Sequence, residues 1–319
     1  MSAGRAAGLV LGVAADAVLA DPRRGHPVAA FGKVASTAEK LLHRDRRAAG
    51  VVHTVVLAGG TAALGVIVER LSRRVPVAHA LVTGVVTWAV LGGTSLAGEG
   101  TAMARTLESG DLDAARGRLG HLCGRQAEGL DEQELARATV ESVAENTSDA
   151  VVAPLVWGAV AGIPGLVGYR AVNTLDAMVG NRGTRYRNFG WASARLDDIV
   201  NLVPSRLAAA LASLGAPVVG GSAADARRTW WRDASAHPSP NAGQIEAAFA
   251  GALGIRLGGR TVYGHAAESR PVLGDGRATE VGDVARSVEL SRVIGYASGG
   301  LAAGAALLAG FRRERRRRR

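Results

Sequence analysis

Four stretches of this chain contain no Asp, Glu, Lys or Arg: Val51–Val68, Val75–Gly98, Ala150–Tyr169 and Val293–Phe311. A fifth, Leu207–Ala224, follows Arg206 directly. Each reaches the roughly 18 residues that carry a helix across about 30 Å of hydrocarbon. A soluble domain can bury one such helix, but five in 319 residues call for a lipid solvent. In lipid the backbone must satisfy its own polar groups, which helices do. The 43 glycines agree, since small residues let membrane helices approach closely. The expected fold is all-α: a polytopic membrane helix bundle with interspersed polar helices and loops, a single domain over 1–319 ending in an Arg-rich tail at 312–319.

The net charge of +10 is unevenly placed. Residues 99–149 hold eleven carboxylates against five Arg, whereas 312–319 hold seven Arg and Glu314. An Arg run directly after an apolar segment marks a cytoplasmic flank by the positive-inside rule. No aromatic-basic interleaving accompanies it, so membrane lipid is an expected partner and nucleic acid is not. Cys123 is the only cysteine, which excludes an intrachain disulfide and a cysteine-rich zinc site. Asp16 interrupts the apolar N-terminal stretch, which therefore does not read as a cleaved signal peptide.

Local signals place several elements. Glu69–Arg74 and Pro76 predict a turn joining the first two runs into a helical hairpin. Asp131 followed by Glu134 is a capping-box pattern, so a helix starts there and runs on into Ala150. Ala150–Tyr169 contains Pro154, Pro164 and four glycines, and is expected to break or re-enter rather than cross as a straight helix.

Four polar constellations abut the apolar runs. Asp21-Pro22 and His26-Pro27 fix a carboxylate and an imidazole in extended or turn backbone. Glu141, Glu145 and Asp149, with Asn146 among them, recur every four residues and form one helical stripe. Three carboxylates on one stripe repel unless solvated, paired or bound to a cation, and hard oxygen donors favour Mg²⁺. Arg170 and Asn173 share a helix face that Gly180 stops. Beyond it Arg182 and Arg185 flank Gly183 with no acid nearby in the sequence, suited to bidentate contact with phosphate or carboxylate. Arg195, Asp197, Asp198 and Asn201 follow as a second oxygen-rich cluster. Last, His237-Pro238-Ser239-Pro240-Asn241 reads as a capped helix start with Ser239 as N-cap, whose free N–H groups favour anions. Ala247, Gly251 and Gly254 are expected to pack this helix closely on a neighbour. Familiar nucleotide and hydrolase signatures (G-x-x-x-x-G-K-[ST], H-E-x-x-H, G-x-S-x-G) are absent.

These stretches resemble the CobD/CbiB family of cobalamin biosynthesis, the adenosylcobinamide-phosphate synthases. The resemblance is carried by Asp21-Pro22…His26-Pro27-Val28, by Glu141-Ser-Val-Ala-Glu145-Asn146-Thr147-Ser148-Asp149, and by Tyr169-Arg170-Ala-Val-Asn173-Thr174-Leu-Asp176. It continues through Phe189-Gly190-Trp191-Ala-Ser193-Ala-Arg195-Leu-Asp197-Asp198 and through His237-Pro238-Ser239-Pro240-Asn241-Ala-Gly243 to Glu246. The long Arg-rich tail departs from that pattern.

The resemblance implies ATP-dependent amide formation, joining a propionate of adenosylcobyric acid to aminopropanol or aminopropanol phosphate, at the cell membrane with the active site facing the cytoplasm. Other late cobalamin-pathway enzymes are expected neighbours. The resemblance leaves individual roles open, and the residue chemistry supplies them. Glu141, Glu145, Asp149, Asp197, Asp198 and His237 are the catalytic candidates, and Glu145, Asp149 and Asp198 the Mg²⁺ ligands. His26, Asn146, Arg170, Asn173, Arg182, Arg185, Arg195, Asn201, Ser239 and Asn241 are the substrate- or ATP-binding candidates. The rival reading is a transporter of an anionic solute or corrinoid, with Arg170 and Arg182 as contacts. The related halves common in transporters are not seen in the sequence.

Overall fold

A computed structural model describes residues 2–21, 25–181, 183–263 and 266–317, with the side chains of 260–268 and 312–317 left aside. In chain order the first helices are α1 (Ser2–Leu19), α2 (Pro27–Leu42), α3 (Arg47–Thr54), α4 (Gly60–Ser72) and α5 (Pro76–Val90). Next come α6 (Gly93–Glu108), α7 (Leu112–Leu119), α8 (Glu132–Thr147), α9 (Ala153–Ala161) and α10 (Ile163–Val179). Then follow α11 (Trp191–Val200), α12 (Leu202–Gly215), α13 (Ala223–Asp233) and α14 (Ala242–Leu253). An antiparallel hairpin, β1 (Leu257–Tyr263) with β2 (Ala266–Leu273), precedes α15 (Val281–Arg317). The fold is an all-α membrane helix bundle, and this hairpin is strand structure that the apolar and polar patterning did not announce.

Among the described residues five helices are long and apolar enough to cross a membrane: Ser2–Leu19, Arg47–Ser72, Pro76–Glu108, Leu202–Val219 and Val281–Phe311. Four of them overlap the expected runs, Leu202–Val219 lying five residues earlier than the expected Leu207–Ala224. The first was missed because Arg5 and Asp16 interrupt it, yet Asp16 is buried and Arg5 is paired with Glu69 at 2.7 Å. Ala150–Tyr169, conversely, is not one continuous helix. It breaks at Gly162, where φ is +71°, a conformation that glycine adopts at little cost.

The chain divides into two compact units. One comprises Met1–Gly92, Ala153–Asn201 and Ser298–Arg319. In it α5 packs chiefly on α1 and α4 on α10, so the expected hairpin of the first two runs is a turn between helices that find other main partners. Gly8 and Gly12 face Thr83 and Thr87, where an added Cβ would lie 2.5 and 2.3 Å from the threonine Cβ atoms. Glycine at this four-residue spacing therefore sets the close α1–α5 approach. Glu69 of α4 both pairs with Arg5 and accepts the N–H of Ile163 at 2.7 Å, capping α10 just beyond the Gly162 break. A side chain at Gly162 would collide with that carboxylate.

The other unit comprises Gly93–Val152 and Leu202–Ala297. The capping box at Asp131 and Glu134 forms as expected, and α8 continues into a π-helical turn, Ser148–Val152. At its centre α14 packs on α12, α13 and α8. Gly251 meets Ala226 of α13, as expected of that face, whereas Gly254 ends the helix with φ +69° rather than packing along it.

Candidate active site

In the first unit, α10 and α11 bring their polar faces together. Asn173 donates to Asp197 Oδ1 at 3.5 Å, Asn201 donates to Asp197 Oδ2 at 2.9 Å, and the Tyr169 hydroxyl donates to Asn201 Oδ1 at 2.9 Å. Arg170 donates to Asn173 at 3.4 Å, as their shared face required. Asp197 and Asn201 are thus buried anchors of a network. Asp198, one residue on, is partly exposed and lies 3.5 Å from Arg195. Apolar residues of α2, α10 and α11, among them Ala35, Leu175 and Leu196, pack beneath.

The loop after α10 is tied to α2. Arg185 donates to Glu39 Oε1 at 2.8 Å and the Tyr186 hydroxyl to the same oxygen at 3.0 Å. The expectation of an arginine without a nearby acid is therefore corrected: the acid comes from 146 residues away. Burial pushes the Glu39 carboxyl up, but hydrogen bonds from Arg185 and Tyr186 outweigh it and hold the group below the usual carboxylate range. Arg182 and Pro22 lie outside the described residues. His26 caps α2, its Nδ1 accepting Val28 N–H at 3.1 Å, and its Nε2 lies 3.3 Å from Asp21.

In the second unit the carboxylate stripe divides. Glu141 is 1% exposed; its Oε1 accepts Gly258 N–H at 2.6 Å and its Oε2 lies 2.5 Å from Arg125. The donor is available because β1 bulges between Leu257 and Gly259, which frees the Gly258 N–H from the ladder. Glu145 is exposed and Asp149, in the π turn, is half-buried. Asn146 donates back to the Ser142 carbonyl at 2.9 Å. Among the described residues no group of three or more His, Cys, Asp or Glu is placed to hold a metal ion. Mg²⁺ does not need one, since it keeps several waters and shares one or two carboxylates with phosphates. Glu145 and Asp149 fit that donor chemistry.

Regular α14 begins at Ala242, later than expected, but Ser239 Oγ still accepts the N–H groups of Asn241 and Ala242 at 3.3 and 3.1 Å. Buried Asn241 accepts from Ser205 at 3.1 Å. His237 Nδ1 accepts Ser239 N–H at 3.1 Å, and burial, then Arg270, hold the imidazole below its ordinary pKa. Its Nε2 faces Glu246, 3.8 Å away, and Arg270 Nη1 stands 3.9 Å from the other Glu246 oxygen. Glu246 is 0% exposed. Burial first, then the charges of Glu141 and Glu145, push its carboxyl well above the usual range.

Glu246, Arg125, Arg270, Glu39 and Tyr169 were not among the sequence candidates. Glu246 carried a signal, as the only charge in the mostly apolar Ala242–Leu253. Arg125 and Arg270 sit in polar stretches where an Arg is unremarkable. Cys123 lies near this cluster, and burial pushes its thiol up, which agrees with a packed rather than reactive cysteine.

Comparison with known proteins agrees over most of the chain. The family described as CobD/Cbib protein matches residues 9–291. A cobalamin biosynthesis protein CobD of Mycobacterium tuberculosis is 53% identical over 96% of this chain and 95% of its own. Proteins of the same name from Geobacter metallireducens and Rhodobacter capsulatus are 45% and 40% identical, over 82% and 90% of this chain and 83% and 93% of theirs. No solved structure matches.

Proposed function

Because this chain belongs to the CobD/CbiB family and has its place in cobalamin biosynthesis, we propose that it catalyses ATP-dependent amide formation between adenosylcobyric acid and aminopropanol or aminopropanol phosphate. A carboxylate is a poor acyl donor until one oxygen becomes a leaving group. Phosphorylation by ATP achieves this with release of ADP, and attack by the amine then gives the amide, phosphate and one proton. No covalent enzyme nucleophile is needed, in keeping with the raised Cys123 thiol and the absent serine motifs.

The observation that carries the reading is the division of the stripe. Glu141 is neutralised by Arg125 in the interior while Glu145 is exposed and Asp149 half-buried. Glu145 and Asp149 would hold Mg²⁺, which supplies charge neutralisation for the transferred phosphoryl group. Asp198 is the further metal candidate, in competition with Arg195. Arg170 and Arg185 would hold phosphate oxygens, Arg185 by exchanging Glu39 for the ligand. Asp197 and Asn201 would keep Asn173 and Tyr169 in place rather than touch substrate. The cell membrane, with the reaction on the cytoplasmic side where ATP is available, is the proposed location.

The test is the protein purified in detergent with adenosylcobyric acid, ATP, Mg²⁺ and each amine in turn, followed by mass analysis. An amide product with one or both amines is expected. A protein that binds these compounds and forms no product would overturn the reading in favour of transport, since no gradient exists in detergent.

A further inference from the structure

Helix α12 and the turn that ends it, Leu202–Val219, are long and apolar enough to cross a membrane, but the helices packed on them are not. A few contacts fix how these run. Ser205, early in α12, donates to Asn241 at the start of α14 at 3.1 Å. At the other end Arg286 donates to the carbonyls of Val219 and Leu253 at 3.0 and 2.9 Å. The two helices are therefore parallel and level with one another. α13 returns antiparallel beside them: its Ala226 meets Gly251 late in α14, and Trp230 donates to Gln244 near the beginning at 2.9 Å.

If α12 crossed the bilayer, α13 would have to run back through it. α13 carries Asp225, Arg227, Arg228, Arg232 and Asp233 within its 11 residues. Its three arginines are exposed. Arg228 pairs with Asp225 at 2.7 Å, and Arg232 with Asp233 at 2.7 Å and with Asp275 at 2.6 Å. Charged side chains inside hydrocarbon are costly and turn toward a protein interior or a water-filled cavity. An outward-facing set of them beside α12 belongs in water.

Yet α12 also leaves an apolar face uncovered. Val203, Leu207, Ala210, Leu214 and Val218 recur every three or four residues and so form one stripe. Val203, Leu214 and Val218 are 69%, 73% and 59% exposed, while Ser205, Ala208 and Ala212 on the other side are buried. Arg206, which borders the stripe, is exposed. A helix lying in a membrane surface has an apolar side in the acyl boundary and a charged side in water. Here α13 supplies the charged side.

We propose that α12 does not cross the membrane but lies in its surface, with the stripe from Val203 to Val218 seated in the acyl chains just below the headgroups and Arg206 at the lipid phosphates. α12 packs on the Ser148–Val152 turn. This placement therefore keeps Asp149 at the level of the headgroups rather than in hydrocarbon, whatever reaction is catalysed there.

The test is spin-label depth in the full chain, reconstituted into phosphatidylcholine and phosphatidylglycerol vesicles. On a Cys123→Ser background, single cysteines replace Val203, Leu207, Ala210, Leu214, Val218 or, on α13, Arg227. Collision with oxygen, which concentrates in hydrocarbon, is compared with collision with a water-soluble nickel chelate. The five stripe positions are expected to share one shallow depth, and position 227 to meet the chelate. A depth maximum at position 210, with 203 and 218 near opposite surfaces, would overturn the proposal in favour of a crossing helix. Stripe labels shielded from both reagents would overturn it in favour of a protein cover, such as a second copy of this chain. If Cys123→Ser does not fold, Leu214→Arg in the otherwise native chain decides. In the membrane surface the new arginine reaches the headgroups, and the folded yield should stay within about twofold of wild type. A loss of about tenfold or more, as for an arginine well inside a crossing helix, would sink the proposal.

Discussion

The two units each pair an acid with an arginine, and they do so in opposite surroundings. In the unit of α8 and α14, the Glu141 and Arg125 side chains are 1% and 7% exposed, and β1 contributes a backbone donor. In the unit of α2 and α10, Glu39 meets an Arg185 whose side chain is 59% exposed. A buried pair has lost its water and depends on its partner, whereas an exposed guanidinium can trade one anion for another. The first arrangement suits a fixed scaffold for chemistry, the second a contact that a ligand replaces.

The largest effect should follow from breaking the buried pair. Arg125→Met leaves the Glu141 charge uncompensated in the interior and is expected to cost about 3–5 kcal/mol of unfolding free energy. Denaturant titration in detergent, followed by circular dichroism, measures it. A loss under about 1 kcal/mol would mean that the pair behaves like a surface pair, and the contrast between the units would disappear.

Next in size is the exposed end of the same stripe. Glu145→Gln or Asp149→Asn is expected to cut turnover at least about 100-fold, a barrier increase near 2.7 kcal/mol, with the melting temperature unchanged. Near-normal turnover in both variants at every Mg²⁺ concentration would remove the metal-binding role and leave Glu145 a solvated surface acid.

How much of this was legible in the sequence follows from the range over which each feature is determined. The capping box at Asp131, the stop at Gly180 and the break inside Ala150–Tyr169 depend on residues a few positions apart, and all three form. The stripe at Glu141, Glu145 and Asp149 was visible as spacing, but its division was not. What separates Glu141 from Glu145 is Arg125 from a preceding loop and the Gly258 bulge from a hairpin 117 residues on. The same holds for Arg185, whose acid lies on α2, and for α1, whose interrupting charges are satisfied or buried only in the fold. Long-range pairing of polar groups leaves no periodicity, so composition and spacing cannot announce it.

A smaller effect should distinguish ligand contact from simple attachment in the exposed pair. Arg185→Lys keeps the charge and loses the planar fork. It is expected to raise the KM for ATP or for the phosphorylated amine severalfold, with kcat and stability little changed. If only protein yield falls while both kinetic constants match wild type, Arg185 serves to fasten its loop to Glu39 and nothing more.

The finest distinction between the units is one of sign, and pH exposes it. For Glu39, burial pushes the carboxyl up, but hydrogen bonds from Arg185 and Tyr186 prevail, and its folded value lies below the ordinary one of about 4.3. The unfolded chain then binds the proton more readily. The stability from this group is complete above the ordinary value and is lost as pH falls through the lowered one. For Glu246, burial and then the charges of Glu141 and Glu145 set the folded value well above the ordinary one. Here the folded chain retains a proton that the unfolded chain releases, so stability declines as pH rises past the ordinary value and levels off beyond the raised one. Melting temperatures of wild type, Glu39→Gln and Glu246→Gln, taken from acid to mildly alkaline pH, separate the two. Glu39→Gln is expected to flatten the acid side alone, and Glu246→Gln to flatten the decline toward alkaline pH alone. Should Glu246→Gln flatten the acid side instead, its carboxyl would be ionised in the fold, and the interior of the second unit would hold an anion as openly as the exposed pair of the first.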